Sequence, residues 1–113
     1  VSHYHQDHIA DLGGLRHYHQ HWPKTDPDWD SAILKIYGHN EDTHEFQNLT
    51  LDGVSEGIAY DVNGVQKIGP FDITFTKTVH PIICYAMRIT ERKTGQTLVF
   101  TGDTGWFNGL VDF

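Results

Sequence analysis

The segment Ser2-His3-Tyr4-His5-Gln6-Asp7-His8 decides how the rest of the chain is interpreted, because it holds three histidines and an aspartate within six positions. Neutral imidazole and carboxylate are the usual protein ligands of divalent metals such as zinc. His3 and His5 alternate by two, so an extended loop can direct both at one metal. Asp7 and His8 follow where a helix is predicted to begin. The segment therefore predicts a metal site, and the alternative is a histidine-rich surface loop that binds nothing.

The apolar pattern beyond this segment predicts a mixture of helices and strands. Apolar side chains recur at spacings of three and four and predict a helix over residues 9–22, in which the pair Gly13-Gly14 indicates close packing or a break. The order of the elements indicates an α/β (α+β) fold class. The other predicted elements are a loop at 23–30, a helix at 40–49 capped by Asn40, and strands at 32–37, 65–68, 71–77, 82–90 and 97–101.

Composition indicates a small globular domain. A hydrophobic share of 38% with 12% aromatic residues is too rich for a disordered chain, and 113 residues suffice for one small domain. Cys84 is the single cysteine, so an internal disulfide is excluded and a reducing cytoplasm is expected. No apolar run approaches the roughly 20 residues of a membrane span, so no membrane partner is expected.

The formal charge of −7 constrains the partners. Proteins that bind nucleic acid through its backbone usually have a basic face, so RNA is not favoured as a partner. Bound divalent cations would reverse the sign of the charge locally, and a small phosphorylated or ester substrate is therefore expected. The sequence leaves formation of a homodimer open.

Three motifs together resemble the metallo-β-lactamase superfamily. S-H-Y-H-Q-D-H resembles its signature motif, with serine in place of the commoner threonine. T-V-H-P-I-I-C-Y-A-M-R-I resembles the segment of the next ligand histidine, and T-L-V-F-T-G-D-T resembles the strand that ends in the bridging aspartate. Two segments look closest to the ribonuclease Z-like and phosphodiesterase branch of this superfamily. They are the start of the first predicted helix, D-H-I-A-D-L-G-G-L, and the approach to His80, I-G-P-F-D-I-T-F-T-K-T-V-H-P.

The resemblance implies a set of metal ligands. His3, His5 and His80 would hold one ion, Asp7 and His8 the other, and Asp103 would bridge them. The expected metal is Zn²⁺, one or two ions per site, with Mn²⁺ or Fe as alternatives. The family's second ion also takes a histidine well downstream of the bridging aspartate. No histidine follows His80 in this sequence, so the second site would lack one ligand.

The resemblance also implies the fold and the reaction. Residues 1–113 would be an incomplete central fragment of a four-layer αββα sandwich, without its N-terminal strands and C-terminal half, since the family's domain is about twice this length. The implied enzyme is a metallo-hydrolase that uses a metal-bound hydroxide, oriented by Asp7 as the catalytic residue. A phosphodiester is the favoured substrate. The alternatives are a thioester, a lactone or a β-lactam, and a non-catalytic metal-binding or interaction module.

Of the five other histidines, His17, His19 and His21 lie on the predicted helix at 9–22. His17 and His21 share a helix face at a spacing of four, which could bind a metal or form a solvated, weakly basic surface. His39 and His44 are predicted to lie at the surface.

Overall fold

The computed structural model describes residues 1–21 and 33–113. The predictions for 22–32, including the loop at 23–30, lie outside these residues. The elements in chain order are α1 (Gln6–Ile9), α2 (Leu12–His21), β1 (Leu34–Gly38), α3 (Thr43–Gln47), β2 (Ser55–Ala59), β3 (Gln66–Ile68), β4 (Phe71–Lys77), β5 (Tyr85–Glu91), β6 (Thr97–Phe100) and α4 (Gly109–Asp112).

These residues form two compact units. The first unit contains Val1 and residues 3–59, and the second contains Ser2 and residues 60–113. The mixed composition of helices and strands confirms the predicted fold class.

The first unit is built around a parallel pair of strands. β1 pairs with β2, with Leu34 opposite Ser55 and Gly38 opposite Ala59. Parallel strands need a crossover connection, and α3 lies within it. The buried core of this unit consists of Tyr4, Ile36 and Leu49. Partly buried side chains pack around that core, namely Val1, Ile9, Leu12, Leu34 and Phe46.

The predicted helix at 9–22 is divided in the structure. α1 already begins at Gln6, and α2 restarts after Ala10 with a hydrogen bond of 2.9 Å from the Leu15 N–H to the Asp11 carbonyl. Both glycines lie inside α2, and apart from the helix's own backbone no atom of the described residues lies within 4 Å of a Cβ atom added at either. Close packing against the glycines is therefore not found within the described residues, and the break in the predicted helix falls before them, at Ala10 and Asp11.

The helix predicted at 40–49 is shorter and is capped by a different residue. α3 spans Thr43–Gln47, and the Asp42 carboxylate accepts a hydrogen bond of 3.1 Å from the Glu45 N–H. This bond satisfies one of the amides that a helix start leaves unpaired, which is the role predicted for Asn40. Asn and Asp cap equally well, so residue type alone cannot choose between the two positions.

The second unit contains a four-stranded antiparallel sheet in the order β3-β4-β5-β6, which confirms the predicted strands. Ile73 lies opposite Ile89, and Ile89 lies opposite Leu98, so these side chains share one face of the sheet. Arg92 binds the turn between β3 and β4, because its guanidinium donates to the Gly69 carbonyl and contacts the Asp72 carboxylate at 2.8 Å.

Within residues 1–21 and 33–113, no helix is long and apolar enough to cross a membrane.

Candidate metal centre

Tyr4 anchors the histidine segment to the first unit. Its side chain is 6% exposed, and its hydroxyl donates a hydrogen bond of 2.6 Å to the carbonyl oxygen of His39, at the end of β1. The Tyr4 and His39 rings are in contact, with centroids 4.7 Å apart. A Cβ atom at Gly38 would lie 2.5 Å from the Tyr4 hydroxyl, so only glycine leaves space for the ring there. No sequence pattern indicated this anchor, and the prediction that His39 is a surface residue is wrong, since it is 2% exposed.

The environment of Tyr4 keeps its hydroxyl protonated. Burial raises the pKa of the phenol, and the nearby carboxylates of Asp42 and Glu45 raise it further. A neutral phenol is a hydrogen-bond donor, whereas a phenolate is not. The bond from Tyr4 to the His39 carbonyl therefore persists throughout the physiological pH range.

The histidines on either side of Tyr4 lie close together. Side chains alternate along an extended segment, and the ring centroids of His3 and His5 are 5.0 Å apart. One ligand nitrogen of each lies within 4.8 Å of the other. His3 is fully buried, and its ring also contacts that of His8 at a centroid distance of 4.2 Å. Three of the predicted ligands thus share one cluster in the first unit.

Asp7 lies at the margin of this cluster. Its carboxylate is 3.4 Å from Nε2 of His8, and its side chain is 79% exposed, against 22% for His8. Both residues belong to α1, the short helix that follows the extended segment.

The other two predicted ligands form a pair in the second unit. Nε2 of His80 lies 3.9 Å from a carboxylate oxygen of Asp103. Ligands of a tetrahedral zinc ion with bonds of 2.0–2.1 Å lie about 3.3 Å apart, so this pair is close to the spacing that one ion needs. The side chain of His80 is 14% exposed and that of Asp103 is 41% exposed.

Backbone and hydroxyl hydrogen bonds hold the His80 and Asp103 segments side by side. The Thr78 hydroxyl donates to the Asp103 carbonyl at 2.8 Å, and the Val79 N–H donates to the Thr104 hydroxyl at 3.2 Å. The Gly105 N–H in turn donates to the Val79 carbonyl at 2.7 Å. These threonines were not among the predicted site residues. Their closeness in sequence to candidate ligands is the signal that could have identified them, since Thr104 follows Asp103 and Thr78 lies two positions before His80.

Gly102 allows the backbone to turn immediately before Asp103. Its φ of +58° lies in the left-handed region that glycine favours. A Cβ atom there would lie 2.9 Å from Sγ of Cys84 and 3.2 Å from the side chain of Ser2. Cys84 is fully buried, as predicted.

The donor set fits a divalent metal. Imidazole nitrogens and carboxylate oxygens are ligands that zinc takes in proteins. Ligand atoms of His3 and His5 lie close to each other, and so do those of His80 and Asp103. His3 and His5 lie in the first unit, and His80 and Asp103 lie in the second.

Known proteins share this sequence and this fold. The chain is 42% identical, over all of its 113 residues, to "Probable metallo-hydrolase YhfI" from Bacillus subtilis (strain 168), and spans 45% of that protein. The chain is also similar to the crystal structure of the metallo-beta-lactamase fold protein YhfI from Bacillus subtilis, with a TM-score of 0.83 and 41% sequence identity. The match covers 98% of this chain and 42% of the YhfI chain. No family model matches the chain.

The chain has part of the metallo-β-lactamase fold, and its similarity to YhfI agrees with the resemblance of its motifs to the metallo-β-lactamase superfamily. It spans less than half the length of the curated relative that it matches.

Proposed function

We propose that this protein is a metal-dependent hydrolase that binds zinc and cleaves a phosphodiester. The observation that carries the proposal is the presence of two grouped ligand pairs, His3 with His5 and His80 with Asp103, in a chain that resembles a probable metallo-hydrolase. Together they would provide three imidazoles and a carboxylate for one ion, the donor set of a catalytic zinc site.

The second unit contains a residue directly before each of two proposed ligands. In the second unit, the Ser2 carbonyl accepts a hydrogen bond of 3.1 Å from the Tyr85 N–H, and the Ser2 side chain borders Gly102. His3 follows Ser2 in the sequence, and Asp103 follows Gly102.

A bound zinc ion would polarise the phosphoryl oxygen and lower the pKa of a water molecule. His3, fully buried, would hold the ion in a site with little solvent on that side. Asp7 is the exposed acidic group of the segment, and we propose that it positions the attacking water. Asp7 would also bind a second ion together with His8. Asp103 would bridge the two sites.

The substrate would be small and anionic. The charge of −7 disfavours a long nucleic acid, and two bound cations would attract a phosphate group locally. A ribonuclease Z-like or related phosphodiesterase activity on a small phosphodiester is consistent with both points. The lone, buried Cys84 fits a reducing compartment such as the cytoplasm.

Metal analysis combined with an activity assay tests this proposal. The full-length protein should contain zinc and hydrolyse bis(4-nitrophenyl) phosphate. His80→Ala should lose metal and more than about a hundredfold in kcat/KM, because it removes a ligand. His44→Ala, an exposed histidine of α3, is the matched control and should retain both properties. Stoichiometric zinc without turnover of a phosphodiester, thioester or lactone would instead identify a metal-binding module.

A further inference from the structure

We propose that His17 and His21 form a second, surface site for a late divalent transition metal, such as Cu²⁺ or Ni²⁺. Both residues lie on α2 and both are exposed. They do not belong to the candidate centre, and the proposal stands independently of the hydrolase function.

The geometry of the helix brings the two imidazoles together. Residues four apart on an α-helix are only about 40° apart around its axis, so their side chains leave from the same face. The ring centroids of His17 and His21 are 4.5 Å apart, with an angle of 47° between the ring planes. Two nitrogens that share a metal at about 2.0–2.1 Å lie no more than about 4.2 Å apart. Small side-chain rotations suffice to reach that spacing from rings already in contact.

The surroundings of the pair favour an exchangeable ion. With two protein ligands on an exposed face, the remaining coordination positions would be filled by water. Such a site is weaker than a centre of four protein ligands and loads and releases metal readily. Among divalent ions its affinity should follow the general order for nitrogen ligands, in which Cu²⁺ binds most strongly, Ni²⁺ comes next and Mn²⁺ is weakest. Mg²⁺ and Ca²⁺, which prefer oxygen ligands, should not bind.

The chain provides matched controls. His19 lies between the pair in sequence, but a residue two positions away points about 200° around the helix from its neighbour. His19→Ala therefore removes one histidine from the same helix without removing either proposed ligand. His44→Ala removes an exposed histidine from α3.

Titration of the zinc-loaded, full-length protein with Ni²⁺ tests the site. Zinc loading occupies the candidate centre first, and calorimetry then counts additional nickel ions. We expect one extra equivalent in the parent protein and in the His19→Ala and His44→Ala variants. His17→Ala and His21→Ala should each lose that equivalent, with Ni²⁺ affinity at least about tenfold weaker, because one imidazole remains. Circular dichroism of the variants without nickel establishes that α2 is still formed.

A second readout follows from linkage. At a nickel concentration a hundredfold above its Kd, the ratio of folded to unfolded protein should rise about a hundredfold in the parent protein and in the His19→Ala and His44→Ala variants, but not in His17→Ala or His21→Ala. The proposal is overturned if His17→Ala and His21→Ala bind nickel like the parent protein. It is also overturned if His19→Ala reduces binding equally, because the effect would then reflect the number of histidines rather than the pair.

Discussion

Gly102 is the residue whose replacement has the most specific predicted effect. The positive φ at this position is unfavourable for any residue with a side chain. An added Cβ atom would also lie too close to Cys84 and Ser2. Gly102→Ala should lower the free energy of unfolding by at least about 2 kcal/mol, through backbone strain and overpacking. Urea denaturation measures this loss. Because Asp103 follows directly, metal affinity should also fall.

Gly95 provides the control for that experiment. It also has a positive φ, of +72°, but an added Cβ atom would meet no atom of the described residues within 4 Å. Gly95→Ala should therefore show the backbone strain alone, about 1–2 kcal/mol, and leave metal affinity unchanged. Equal losses in both variants would show that contact with Cys84 and Ser2 adds nothing.

The hydrogen bond from Tyr4 to the residue that follows β1 should contribute measurably to stability. Tyr4→Phe keeps the ring but removes the hydrogen bond to the His39 carbonyl, so it should cost about 1 kcal/mol of unfolding free energy. Tyr37→Phe, a partly buried tyrosine of β1 whose hydroxyl makes no hydrogen bond to the described residues, is the control and should cost less. Chemical denaturation at neutral pH measures both.

The same variant has a predicted pH dependence. The folded state raises the pKa of Tyr4, so its contribution to stability is fully present below the unfolded pKa of about 10 and is lost as the pH rises towards the folded value. The parent protein should lose stability above about pH 10 more steeply than Tyr4→Phe, which has no phenol at this position. Parallel slopes in the two proteins would contradict this assignment.

Sequence patterns predicted the strands better than the helices, for a physical reason. Alternation and turn residues such as Gly69 and Gly95 are local signals, and β4 has the predicted bounds. The break between α1 and α2 and the choice of Asp42 as cap depend on contacts that the sequence does not display. The prediction for His39 was wrong for the same reason, because this buried residue contacts Tyr4, which is 35 residues away in the sequence. The grouping of His3, His5 and His8 was predictable because these residues are neighbours in the sequence.

For the molecule as a whole, metal removal is the decisive perturbation. Because a metal that binds only the folded protein stabilises it, chelation by EDTA should lower the melting temperature, and added zinc should restore it. Differential scanning calorimetry at fixed protein concentration measures the shift. The metal-free parent protein should resemble His80→Ala, whose melting temperature should not respond to EDTA. A parent protein whose melting temperature is equally unaffected by EDTA would argue against the proposed metal centre.

The complete burial of Cys84 has a practical consequence for following the molecule in time. It is the sole thiol among these 113 residues and is packed beside Gly102, so a thiol-specific reagent can reach it only when the second unit opens. The labelling rate thus converts local opening next to Asp103 into a chemical signal. The chain carries an intrinsic reporter of its own fluctuations, which needs no engineered probe.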